Sequence, residues 1–296
     1  MIPTSQFLSP ANRRGIVATL AAMGSFATSD TLMKMATETL PVPEVLVIRS
    51  LFALALLLVL LRRSGDLQLR PVIQHPQILW RTTCEVILVL TWLYGLKFVS
   101  VGEATAVLQT VPIFLTAWAA LVRKEAVGLG GWLAILAGFG GILLIVKPSV
   151  SGVDLPMLLL LAAAMAAAGR DLITRSVPRH VSSTTITFIS TLAGGASGVI
   201  LALNDDWRAP DLREYAIIVG AALMVTLGQF FIIRAYRVAD IAVLSPFRYV
   251  SVPLTLTASF VIWGYAPDLL SWTGIVIVVL AGLYTITRRG APKNPR

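Results

Sequence analysis

Asp30-Thr31-Leu32-Met33-Lys34 returns later in the chain as Asp171-Leu172-Ile173-Thr174-Arg175, an acid with a base four places on in both copies. The two acids lie 141 residues apart, and the same spacing separates Pro112 (in Val-Pro-Ile-Phe) from Pro253 (in Val-Pro-Leu-Thr). Gly141, before Ile-Leu-Leu, and Gly282, before Leu-Tyr-Thr, keep it once more. Three rare landmarks at one offset define an internal repeat, residues 15–147 followed by residues 155–287. Each copy holds five hydrophobic segments. Five is odd, so the second copy enters a bilayer upside down. The expected fold is an all-α integral membrane protein of ten transmembrane helices in two inverted five-helix repeats. Such repeats are the architecture of secondary transporters, with a shared site near the bilayer midplane.

Composition points the same way. The chain is 56% hydrophobic and 13% charged, whereas soluble domains carry roughly 25% charged residues. Its one cysteine, Cys84, excludes an intrachain disulfide framework and a cysteine-based zinc cage. The net charge of +9 is spread over short loops and chain ends and forms no stripe suited to nucleic acid. Hydrophobic runs between charged or Pro/Gly punctuation give spans at 15–36, 44–61, 79–99, 103–122 and 128–146, then 155–176, 184–203, 215–236, 241–263 and 270–287. Arg13, Arg14, Arg62, Arg63, Arg70, Arg123, Lys124, Arg179, Arg237, Arg288, Arg289, Lys293 and Arg296 fall in one set of loops. The alternate loops hold only Lys147, Arg208 and Arg213. This bias predicts both termini in the cytoplasm, in a bacterial inner membrane. The first span follows Arg13-Arg14 in the manner of a signal peptide, but its Asp30…Lys34 pattern recurs inside the chain, which makes it the first helix.

Charges inside membrane helices are costly, about 2.5–3.5 kcal/mol at the centre on insertion scales, so those retained are the first candidates for function. Asp30 and Lys34, with Asp171 and Arg175, are spaced for local i,i+4 pairing and fall near opposite membrane faces. They are candidate gating or coupling groups, as are Arg49 and Glu85. Opposite faces exclude the shared-proton carboxylate pair of an aspartyl protease. His75 and His180 lie in loops, and neither GxSxG nor HExxH occurs. Deeper polar groups are candidate substrate contacts: Trp92 and Tyr94 on the third helix, Gln109 three residues before Pro112, and Gln229 on the eighth. Ser245, Arg248 and Tyr249 join them around Pro246 on the ninth, where proline frees backbone carbonyls to line a cavity. The Arg248 fork suits a carboxylate or phosphate. Gly138-Phe139-Gly140-Gly141 and Ala281-Gly282 permit close helix approach and read as packing between the fifth and tenth helices.

Several motifs together resemble the EamA branch of the drug/metabolite transporter superfamily over residues 15–289. They are Ser29-Asp30…Lys34, Pro43-Glu44…Arg49-Ser50, Val111-Pro112 followed by Glu125, and the run from Gly138 through Ile145 to Lys147-Pro148. Ala235-Tyr236-Arg237…Ala239-Asp240 and Ser245-Pro246-Phe247-Arg248-Tyr249 continue the likeness; Ala266-Pro267-Asp268 departs from it where the first repeat has Glu125. The resemblance implies a central cavity lined mainly by helices 1, 3, 4, 6, 8 and 9. The Asp30…Lys34…Arg49 pattern looks most like members that move S-adenosylmethionine or riboflavin, and less like amino-acid exporters.

The expectation is a secondary carrier that moves a small organic metabolite by alternating access, with no enzymatic activity. Its partners are a small-molecule substrate and the lipid bilayer, with no nucleic acid, cofactor or metal. No GxxxxGK[ST] nucleotide-binding loop occurs, and proton coupling through Asp30, Glu85 or Asp171 competes with simple exchange. The alternative is a membrane-embedded enzyme or a non-transporting scaffold, which saturable flux in proteoliposomes distinguishes.

Overall fold

A computed structural model describes residues 9–64, 75–122, 124, 129–146, 154–174, 176–177, 181–203, 207–239 and 244–289. Arg175, Glu125, Lys147-Pro148, Asp240 and the loop cations Arg70, Arg123, Arg179, Lys293 and Arg296 lie outside them. The described residues form helices and no strand. In chain order these are α1 (Pro10–Thr39), α2 (Val42–Ser64), α3 (Pro76–Phe98), α4 (Val101–Leu108), α5 (Val111–Leu121) and α6 (Leu129–Val146). Then follow α7 (Leu155–Thr174), α8 (Ser183–Ala202), α9 (Leu212–Val238), a 3-10 helix (Ser245–Val250), α10 (Ser251–Trp263) and α11 (Leu269–Arg289). Taking α4 with α5, and the 3-10 turn with α10, as broken spans gives the ten expected segments.

Local chemistry sets these boundaries. Ser100 and Ser182 cap α4 and α8, accepting from Glu103 N and Thr185 N at 3.2 Å. Asp211 and Glu214 form a reciprocal capping box at the start of α9: Glu214 N donates to Asp211 Oδ1 at 2.7 Å and Asp211 N to Glu214 Oε2 at 2.9 Å. α10 ends at Gly264, whose φ of +66° is left-handed and suits a residue without Cβ. Asp268 then caps α11 through Ser271 N at 3.0 Å, so the Ala266-Pro267-Asp268 departure marks a helix junction.

Prolines break both central spans. Pro112 has no N–H for the Leu108 carbonyl, and Pro253 none for that of Tyr249. The chain responds at corresponding places: α4 yields to a turn at Gln109-Thr110, and the 3-10 helix gives way to α10 at Val250-Ser251.

Among the described residues five helices are long and apolar enough to cross a membrane: Pro10–Thr39, Val42–Val59, Leu155–Thr174, Thr184–Ala202 and Leu212–Ile232. Shorter apolar helices run Val101–Leu115, Leu129–Ile145, Phe247–Trp263 and Leu269–Tyr284. α3, which carries Arg81, Glu85 and Lys97, meets neither description.

The chain divides into two compact units. The first takes residues up to Ala27, Ser100–Met157 and Leu227 onward. In it α6 packs on α11 and α4 on α10, and small residues permit the approach. A Cβ on Gly274 would lie 2.6 Å from the Gly141 carbonyl oxygen, and one on Gly141 2.9 Å from that of Gly274. Ile113, Ile135 and Ala281 close a small core beside them. The second unit takes Thr28–Val99 and Leu158–Thr226. There α8 packs on α2, with Gly195 against Ser50 and Gly198 against Val47, and α3 joins through Ile78, Val181 and Ile186. In lipid this packing rests on van der Waals fit and hydrogen bonds, with little hydrophobic drive between helices.

Candidate functional site

The second unit holds an array of charges, most of whose pairs join different helices. Asp30 and Lys34 share a face of α1, one turn apart, and each reaches to another helix. Asp30 faces Arg49 of α2 and accepts the indole N–H of Trp92 on α3. Lys34 is buried, and its Nζ donates to the carbonyls of Leu96 at 2.9 Å and Lys97 at 3.3 Å. It thus caps the C-terminal end of α3, where the helix dipole is negative. Both polar rungs join α1 to α3, at Trp92 and again one turn on. The i,i+4 spacing allows a local Asp30–Lys34 bridge, but both side chains reach across to other helices.

The array continues toward Asp171. Arg49 is electrostatically coupled to both Asp30 and Glu85. Glu85 Oε2 lies 3.3 Å from Arg170 Nη1 and 3.7 Å from Arg81 Nη2. Arg170 also directs Nε and Nη2 at Asp171 Oδ1, at 3.0 and 2.8 Å. Arg81 is held further by Thr174 Oγ1 at 3.0 Å and Ser190 Oγ at 2.8 Å. The expected partner of Asp171, Arg175, lies outside the described residues, and the observed partner is the adjacent Arg170. The order Asp30, Arg49, Glu85, Arg170, Asp171 alternates in sign, so each half-buried charge has an opposite neighbour. Chemically, such an array presents carboxylate acceptors and guanidinium donors side by side.

The first unit brings the two broken spans together. Gln109, in the break after α4, donates Nε2 to the Arg248 carbonyl at 3.1 Å and to Ser251 Oγ at 2.9 Å. The Arg248 side chain itself is exposed. Tyr249 is buried with its hydroxyl against Gly282, where an added Cβ could not fit. Gln229 is half-buried on α9 and Tyr94 on α3. Ser245 opens the 3-10 helix, and its side chain is outside the described residues. An apolar groove of about 640 Å³ runs between α10 and α11, lined by Pro253, Phe260, Trp272 and Val276 among others. It offers little polar recognition.

Sequence reasoning missed Arg81, Arg170 and Glu103. The i,i+4 spacing of Arg81 and Glu85 was a usable signal. Glu103 is buried where α4 meets α11: it accepts from Ser100 Oγ and Ser271 Oγ, each at 3.1 Å, and from the Tyr265 hydroxyl. Partial burial, with that hydrogen bond, pushes the Tyr265 phenol above its ordinary range.

Comparison with known proteins now decides the class. The model of the EamA-like transporter family matches residues 13–147 and again 154–287. The chain belongs to the EamA-like transporter family. It is a multi-pass membrane transporter of small metabolites. A riboflavin transporter of Vibrio cholerae is 30% identical over 288 residues, 96% of each chain. The pseudopaline exporter CntI of Pseudomonas aeruginosa is 24% identical over 91% of this chain and 94% of its own. An S-adenosylmethionine uptake transporter of Rickettsia bellii is 26% identical over 66% of this chain and 67% of its own. A solved structure covers 92% of this EamA-like chain with a TM-score of 0.63 at 16% identity, which supports the fold.

Proposed function

We propose that this EamA-like protein carries an uncharged or zwitterionic planar metabolite of the riboflavin class by alternating access. The observation behind this reading is the charge balance of the array. Asp30, Glu85 and Asp171 stand against Arg49, Arg81 and Arg170, and Lys34 is committed to the end of α3 with Glu38 as its counter-charge, so the array offers no net charge with which to hold an ion. A sulfonium cation or a phosphate dianion would lose its hydration there without gaining a counter-charge. A flavin-type imide offers two carbonyl acceptors flanking an N–H donor, complementary to guanidinium and carboxylate placed side by side. The similarity to the Vibrio cholerae riboflavin transporter over nearly the whole chain supports the same class.

In this reading residues 15–147 and 155–287 are the two inverted repeats, and corresponding spans pack on one another (α2 on α8, α4 on α10, α6 on α11). The protein performs no covalent chemistry. Both termini lie in the cytoplasm of an inner-membrane protein, as the loop cations favour. Glu85, shared among Arg49, Arg81 and Arg170, is the gating pivot. The test is flux of fluorescent riboflavin into proteoliposomes. We expect saturable uptake that unlabelled riboflavin abolishes and that riboflavin 5′-phosphate or S-adenosylmethionine competes poorly. Stronger competition by either ion overturns the assignment.

A further inference from the structure

Where α1 ends and α2 and α9 begin, within the second unit, two glutamates converge on one arginine. Glu44, in the first turn of α2, is 2% exposed, and Glu214, in the first turn of α9, is 7% exposed. Arg208 gives Nη2 to Glu214 Oε1 and, at 3.5 Å, to the Thr39 carbonyl. Glu214 Oε2 takes the Asp211 N–H at 2.9 Å, so both of its oxygens are satisfied. Glu44 fares differently. Among the described residues its Oε2 has only the Arg208 backbone N–H at 3.5 Å, the outer limit of a hydrogen bond. Its Oε1 is buried and has no partner among the described residues.

The other charged groups on these elements do not supply what is missing. On α1, Glu38 interacts with Lys34, whose Nζ is committed to the end of α3. At the start of α9, Asp211 Oδ1 is occupied by Glu214 N, and Arg213 is exposed. The Arg208 guanidinium is spent on Glu214 and Thr39. Glu44 is therefore a buried carboxylate with one oxygen unpartnered among the described residues and a carboxylate neighbour beside it. Two acids sharing one cation cannot both ionise cheaply, and the least costly remedy is a proton on one of them.

We propose that Glu44 is a proton-binding site, the proton residing on Oε1, and that this proton is the one coupled to transport. The coupling half of the inference rests on the transporter reading above; the protonation half does not. Binding needs no co-reactant, because a proton from water adds to Oε1 and turns the carboxylate into a carboxylic acid. The charge repulsion with Glu214 then disappears, and Arg208 is left to Glu214 alone. Releasing the proton restores the repulsion across the junction of α1, α2 and α9.

Infrared difference spectroscopy of the purified full-length protein across a pH titration reads the protonation directly. We expect a carboxylic-acid carbonyl band in the wild type that is lost in Glu44→Gln, kept in Glu85→Gln and shifted but present in Glu44→Asp. Gel-filtration elution checks that each variant is folded. In proteoliposomes Glu44→Gln is expected to lose stimulation of riboflavin uptake by a pH gradient while retaining riboflavin exchange. A band that persists in Glu44→Gln, or full gradient stimulation in that variant, overturns the proposal. Absence of riboflavin flux in the wild type counts against the transport reading, and the infrared result still decides whether Glu44 holds the proton.

Discussion

Arg170 makes the clearest case at the scale of single residues, because one guanidinium serves two acids. It directs Nε and Nη2 at Asp171 and Nη1 at Glu85, a fork that a lysine point charge cannot reproduce. Arg170→Lys is expected to remain folded and inserted but to lose about 1.5–3 kcal/mol of charged hydrogen bonding, roughly tenfold or more in flux. Wild-type flux in the lysine variant would reduce Arg170 to a structural charge. Lys34 makes a different prediction. Lys34→Met leaves the Leu96 and Lys97 carbonyls without their ammonium donor, which should destabilise the protein by about 1–3 kcal/mol, seen as a lower melting temperature in detergent. An unchanged melt would show that the cap contributes nothing. Asp30, Lys34, Glu85 and Asp171 were legible in the sequence because charge in lipid is costly wherever it lies. Their partners were not. Spacing of i,i+4 reports only neighbours on one helix, whereas Arg49, Trp92, Leu96 and Arg170 meet these groups through tertiary packing that no local pattern encodes.

Elements were easier to read than contacts, and their breaks explain why. Pro112 and Pro253 each lack the N–H that would hold the carbonyl four residues back, and both interruptions fall just past those orphaned carbonyls, two to three residues before the proline. What the sequence hides is how the breaks are held: Gln109 is anchored to the Arg248 carbonyl and Ser251, so its amide serves the backbone of a distant segment. Gln109→Leu should therefore impair flux more than Arg248→Lys, because the contact made by Arg248 comes from its main chain. The reverse order in proteoliposome assays would return the Arg248 side chain to the site. The glycines on α6 and α11 carry a stability prediction. A valine at Gly274 brings Cβ to 2.6 Å from the Gly141 carbonyl and 2.8 Å from Ile145 Cγ1, forcing the helices apart at a cost of about 1–3 kcal/mol. Detergent-solubilised Gly274→Val should melt earlier than wild type, and an equal melting temperature would mean that α11 shifts without penalty.

For the whole molecule, the repeat offset and the span count were visible because hydrophobic length and rare landmarks are one-dimensional properties. Substrate choice is not, since it depends on how charges from α1, α2, α3 and α7 sum in space. That sum gives the last prediction. If the array from Asp30 to Asp171 is neutral, a neutral planar ligand enters without creating an unbalanced charge, and an anionic derivative of the same ring does not. Thermal shift isolates this comparison from transport, because a ligand that binds only the folded state stabilises it by about 2.7 kcal/mol at a hundred times its dissociation constant. Riboflavin should raise the melting temperature of the purified protein in a saturable way, with riboflavin 5′-phosphate much weaker although it presents the same ring. Asp30→Asn tests the same logic from the protein side. It leaves Arg49 in excess, so the preference should tilt toward the phosphate ester. An Asp30→Asn protein that keeps the wild-type preference would place ligand recognition away from the charged array.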